Sequence, residues 1–215
     1  MNLQPVRTEI DHRTIKLIIG IIAISLASLT SFFSQTPLES ISASYHEGGW
    51  SRNIFVGFLF AIAAFLLAYN GRSGLEMVLS KAASLAALGV AMFPCGCDSR
   101  AEIIPYVHYI SAGVMFLVLV VFCYSFFQRA KAKGHTQAAA RAYIYALCGF
   151  AILAAIVVLM LDFLMNGTIS AKVGRLVFYG EAVGLIAFGV AWLVASRTLP
   201  VITQKQERLK ISPFS

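Results

Sequence analysis

Six stretches of the chain are almost uninterrupted in apolar residues, and none alternates with the period of two that marks a half-buried strand. They run over 15–33, 53–69, 77–93, 106–127, 142–164 and 173–196. Each is close to the ~20 residues that a helix needs to cross about 30 Å of hydrocarbon. A membrane β-strand would be about 10 residues long with every second residue polar, so the pattern predicts helices, which satisfy their own backbone in lipid. Between the second and third runs lies only Asn70–Gly71–Arg72–Ser73–Gly74–Leu75–Glu76, a turn that makes the two an antiparallel hairpin. The expected architecture is all-α and polytopic: a single integral membrane domain over 1–215, folded as a bundle of six transmembrane helices. The first run is too long for the apolar part of a leader and has no small-residue cleavage site after it, so it is read as a retained span.

Composition removes the soluble alternative. Of 215 residues, 59% are hydrophobic and 13% charged, against roughly 45–50% and about 25% in soluble domains; the mean hydropathy is +0.78. The net charge of +7 invites a nucleic-acid reading, but its distribution does not. With the N-terminus inside, the cytoplasmic set is Arg7, Arg13, Lys16, Arg72, Lys81, Arg129, Lys131, Lys133, Arg141, Arg197, Lys205, Arg208 and Lys210, thirteen residues in all, and the opposite set is Arg52, Arg100, Lys172 and Arg175. Basic residues are retained on the cytoplasmic side, so both termini are expected there, in the inner membrane of a bacterium. The excess charge then serves topology and the anionic leaflet, with no nucleic acid as partner.

Helices in lipid associate through close packing at small residues. Ala83, Ala87 and Ala91 in the third span, and Gly180 and Gly184 in the sixth, form such seams, for packing within the bundle or against a second copy. The two halves of the chain do not repeat each other, which argues against an inverted-repeat transporter, and no helix carries the polar stripe of a channel. Phosphate-binding loops, nucleophile elbows and H-E-x-x-H are absent from the sequence.

The chemistry concentrates at the predicted outer end. A charge in hydrocarbon costs at least about 2.5–3.5 kcal/mol, so Glu181, well inside the sixth span, and Asp162, near the outer end of the fifth, need a partner or a purpose. His46 in the first outer loop, His108 at the start of the fourth span, and Arg175 and Tyr179 at the start of the sixth share that depth. The candidate polar site is therefore His46, His108, Asp162, Glu181, Arg175 and Tyr179. Helical periodicity turns Arg175 away from Glu181, leaving a tyrosine, His108 or water as its partner. The site is read either as structural pairing or as a polar cavity in which a carboxylate tunes a histidine. Cys95 and Cys97, in Phe93–Pro94–Cys95–Gly96–Cys97–Asp98, form a candidate redox or metal pair: a disulfide, free thiols, or a metal site completed by His46, His108 or Asp98.

Several segments carry a likeness. Ser40–Ile41–Ser42–Ala43–Ser44–Tyr45–His46, Arg52–Asn53–Ile54–Phe55–Val56–Gly57, Tyr69–Asn70–Gly71, Ala91–Met92–Phe93–Pro94 and His108–Tyr109–Ile110–Ser111–Ala112 together resemble a group of small bacterial six-span membrane proteins known as a domain of unknown function. More distantly, the layout resembles the DRAM and GPI-lipid-remodelling membrane proteins, with six spans and a polar first luminal loop. The closer resemblance implies only that the outer loop and His108 are the places to look for function, and neither resemblance supplies a reaction. Ser42 and His46 also have the Ser-x-x-x-His spacing of alkaline-ceramidase-type hydrolases, but no histidine follows His135 to complete their metal site. Three readings result: a protein binding a lipid or amphiphile in its outer half, an accessory subunit or homo-oligomer within a larger membrane complex, and a metal-dependent membrane hydrolase.

Overall fold

The computed structural model describes residues 11–97, 100 and 102–208; Arg7 and Lys210 of the basic count, and Asp98 of the candidate metal set, lie outside them. The described chain is helical: α1 (His12–Phe32), a one-turn α2 (Ser44–Glu47), α3 (Gly49–Ala68), α4 (Gly74–Met92), α5 (Val107–Lys131), α6 (Thr136–Leu164) and α7 (Leu176–Ala195). All but α2 are long and apolar enough to cross a membrane, so the protein is a multi-pass membrane protein with six spans. Two 3-10 turns, Pro200–Ile202 and Lys205–Glu207, carry the chain on beyond α7.

Side chains set several helix ends. Asp11 accepts the Arg13 amide at the start of α1, and Ser73 accepts the Glu76 amide at the start of α4, each occupying one of the donors that a helix leaves open. His135 Nδ1 accepts from the Ala138 amide at the start of α6.

Each span packs on its neighbour in sequence, and α1 packs on both α3 and α7, which closes the six into a ring. α1 and α7 meet backbone to backbone. A Cβ on Gly20 would lie 2.9 Å from the Gly189 carbonyl oxygen and 2.9 Å from the Leu193 nitrogen, and one on Gly189 would lie 2.8 Å from the Gly20 oxygen. The two backbones touch because neither residue has a side chain. The seams expected from sequence also pack internally: Gly180 faces Leu159, Gly184 faces Phe116, and Ala83, Ala87 and Ala91 are buried. Serine hydroxyls reinforce the contacts, with Ser80 donating to the Leu66 carbonyl, Ser84 to Ala63 and Ser51 to Thr30.

The core has two storeys. One, near the end bearing Arg13 and Arg197, is aromatic, with Tyr69, Phe122, Phe126, Tyr145, Phe188 and Trp192 around Ile15 and Ile19. The other, beneath the opposite end, holds Leu26, Phe55, Leu59, Val90, Met115 and Leu185, with Leu38 and Ile41 inserted from the loop after α1. That loop is therefore a lid packed into the bundle, and this places the chemistry described next.

Candidate functional site

The lid is held by the first two turns of α7. Arg175 Nε donates to the Leu38 carbonyl at 2.8 Å, the Phe178 amide to the Glu39 carbonyl at 3.0 Å, and Glu181 accepts from the Ile41 amide at 2.5 Å and the Ser42 hydroxyl at 3.0 Å. Arg175 is the left-handed cap residue just before α7, so the lid is clamped by a side chain at the helix entrance, by the Phe178 backbone amide and by the Glu181 carboxylate, without the three side chains sharing one helix face. Glu181 and Arg175 do not meet; each binds the lid separately. The partner of Glu181 is thus the loop backbone and Ser42, which sequence reasoning did not assign to it.

Ser42 also meets His108. Its Oγ lies 3.1 Å from His108 Nε2, while His108 Nδ1 lies 2.8 Å from the Phe93 carbonyl oxygen. His108 is 3% exposed and Ser42 is 6% exposed, so this chain of contacts is closed off from bulk water. A carbonyl oxygen only accepts, so Nδ1 carries a proton. Ser42 has a single proton and two neighbours. If it donates to Glu181, Nε2–H must donate to Ser42, as imidazolium facing carboxylate. If it donates to Nε2, Glu181 must donate to Ser42, as neutral acid and neutral imidazole. These two fully satisfied arrangements differ by the shift of two protons along one line and carry the same total charge.

The other predicted site residues go elsewhere. His46 Nε2 donates to the Cys95 carbonyl at 2.8 Å. Asp162 has other partners: it accepts the Ile169 and Ser170 amides at 2.9 Å each, closing the turn after α6, and makes no hydrogen bond to His108 or Glu181. Tyr179 is exposed, with the Arg175 guanidinium 5.7 Å from its ring centroid. Cys95 and Cys97 are joined by a disulfide with Cα atoms 5.1 Å apart, and Ser40 Oγ lies 3.6 Å from Cys97 Sγ. Among the described residues, no group of three or more His, Cys, Asp or Glu side chains is placed to hold a metal.

Beside the lid lies a cleft of about 270 Å³ lined by Thr36, Pro37, Leu38, Glu39, Ala43, His46, Glu47 and Arg100. Glu47 fastens its edge, accepting the Gln35 amide at 2.9 Å and the Thr36 amide at 3.1 Å. Burial raises the Glu47 carboxyl, but these amides and the Thr36 and Ser34 hydroxyls together lower it further, leaving it below the usual carboxylate range. Two carboxylates, one guanidinium and an apolar floor give the cleft both signs of charge and an apolar contact.

No protein-family model matches the chain, and no curated protein or solved structure is significantly similar to it.

Proposed function

We propose that this protein binds the head group of a membrane amphiphile at its outer end, in the cleft between the lid and Arg100. The observation that carries the reading is the cleft's lining: Glu39, Glu47 and Arg100 complement a zwitterionic head group, while Pro37, Leu38 and Ala43 take apolar substance. Its place at the end of a six-span bundle suits a ligand that belongs to the membrane. The excess of basic residues at the opposite end supports placing this end outside the cytoplasm of a bacterial inner membrane, and the Cys95–Cys97 disulfide suits an oxidising compartment.

A photoreactive phosphatidylethanolamine, incorporated with the protein into nanodiscs, tests the reading. Crosslinks should map to 36–47 and 100 and fall several-fold in Arg100→Glu. Crosslinks spread evenly over the lipid-facing helices, with none on the lid, would overturn it.

A second reading rests on the Ser42–His108 contact. With Nδ1 held by the Phe93 carbonyl, Nε2 is placed to take the Ser42 proton as Oγ attacks an acyl carbonyl, and to return it to the departing alcohol. A fluorophosphonate probe should then label wild type at Ser42 and leave His108→Ala unlabelled. Absence of labelling in the folded wild-type protein excludes this reading and leaves head-group binding untouched.

A further inference from the structure

At the opposite end of the bundle, Lys16 is 8% exposed, one turn into α1. Its ammonium lies 5.1 Å from the ring centroids of Tyr69 and of Phe126 and has no hydrogen bond or ion pair among the described residues. Cation–π contact replaces only part of the hydration that such a group loses. Its surroundings add to the deficit. A cavity of about 300 Å³ is lined by Lys16 together with Arg13, Arg72, Arg129, Lys133 and Arg197. The carboxylates on its wall are Asp11 and Glu207, and both are engaged. Asp11 caps α1. Glu207 pairs with Lys133, with Arg141 at 3.0 Å, and with Arg197 only at 3.6 Å, leaving Arg197 Nη1 buried without a hydrogen bond. Glu76 is paired with Arg129. Among the described residues, six cations thus face one cavity against two committed anions.

We propose that this cavity binds a phosphate group, the chemistry shared by an anionic phospholipid head group and a soluble phosphate ester. Phosphate matches the site on three counts. Its several oxygens accept from the guanidinium forks of Arg72, Arg129 and Arg197. Its charge neutralises the buried Lys16. The cavity is also at the small end of the range for ligand sites, large enough for a phosphorylated group. Glu207, from the segment after α7, occupies the rim as an internal anion beside it.

The test uses the full chain in nanodiscs, read by thermal unfolding at constant ionic strength. Phosphatidylcholine discs receive inorganic phosphate or chloride; a second set contains phosphatidylglycerol. Wild type should gain a saturable rise of several degrees that chloride does not give, and Lys16→Met should reduce the apparent affinity at least tenfold. Lys16→Met keeps the apolar stem and removes a buried charge, so without ligand it should unfold no earlier than wild type. Arg72→Gln, at an exposed position, serves as a second variant, and Lys131→Met, at an exposed position away from the cavity wall, is the control of equal charge change. A rise with phosphatidylglycerol alone assigns the site to lipid, and a rise with inorganic phosphate assigns it to a soluble ester. No rise with either, or equal losses in Lys16→Met and Lys131→Met, refutes the site, the latter because general screening would then suffice.

Discussion

Replacing Glu181 separates a hydrogen-bonding role from mere packing. In Glu181→Leu, the Ile41 and Ser42 amides lose their acceptor, while the Ser42 hydroxyl turns to His108 Nε2. An unsatisfied buried donor costs about 1–3 kcal/mol, so two cost about 4 kcal/mol at mid-range. At about 2–4 °C per kcal/mol for a chain of this size, Tm should fall by roughly 8–16 °C. In Glu181→Gln, the amide oxygen still accepts from the loop, the NH2 donates to Ser42 Oγ, and Ser42 donates to His108. Only charge assistance is lost, worth about 1 kcal/mol or roughly 2–4 °C. Thermal unfolding in nanodiscs measures both shifts. Hydrogen exchange at Ile41 and Ser42 should accelerate in the leucine variant and stay near wild type in the glutamine variant. Equal behaviour of the two variants would mean that the carboxylate does not hold the lid, and the reasoning would be wrong.

Gly189→Ala should lower Tm by several degrees through overpacking against the Gly20 carbonyl, a cost of about 1–3 kcal/mol, whereas Gly57→Ala, where a Cβ meets open space, should be neutral or stabilising on the same melts. Burial raises the Glu207 carboxyl, but Lys133, Arg141 and Arg197 lower it more. Its contribution is therefore complete above the ordinary carboxylate pKa near ~4.3 and fades as pH falls through the lower folded value, so Glu207→Gln should flatten the loss of Tm between pH 6 and pH 3. A cysteine introduced at His135, in the turn between α5 and α6, should react with impermeant maleimide only from the face that bears Arg13 and Arg197; labelling from the lid side alone would invert the bundle.

The six spans were legible because lipid imposes a length and a composition that few other demands mimic. Their ends were less so. α5 runs to Lys131 and α6 starts at Thr136, beyond the apolar runs ending at 127 and beginning at 142, because hydropathy reports what lipid accepts while polar turns continue a helix into the head-group region. His108 and Glu181 stood out as polar groups in apolar helices. Ser42 as their common partner did not, since Ser34, Ser40 and Ser44 share its loop and only the folding back of the lid brings it to both. The spacing of Ser42 and His46 suggested a pair, yet the one-turn α2 carries His46 to the Cys95 carbonyl instead. Asp162 was placed by depth along its helix, but a carboxylate at a helix end also caps the turn that follows, and here local backbone donors outcompete a distant histidine. The basic cavity was invisible as a site: topology explains each of its cations singly, and only the structure shows that they share one volume.

The bare contact between Gly20 and Gly189 has a consequence for biogenesis. The partner of the first span is the last of the six, so the seam on α1 stays unmatched while all four intervening spans are made and inserted. A nascent chain halted after α6 would present to the bilayer a glycine-floored groove that lipid tails fill poorly, together with a lid loop that has not yet met Arg175, Phe178 and Glu181. Arrival of α7 completes both at once. Both the helix seam and the lid of the finished molecule thus wait on the last of the six spans.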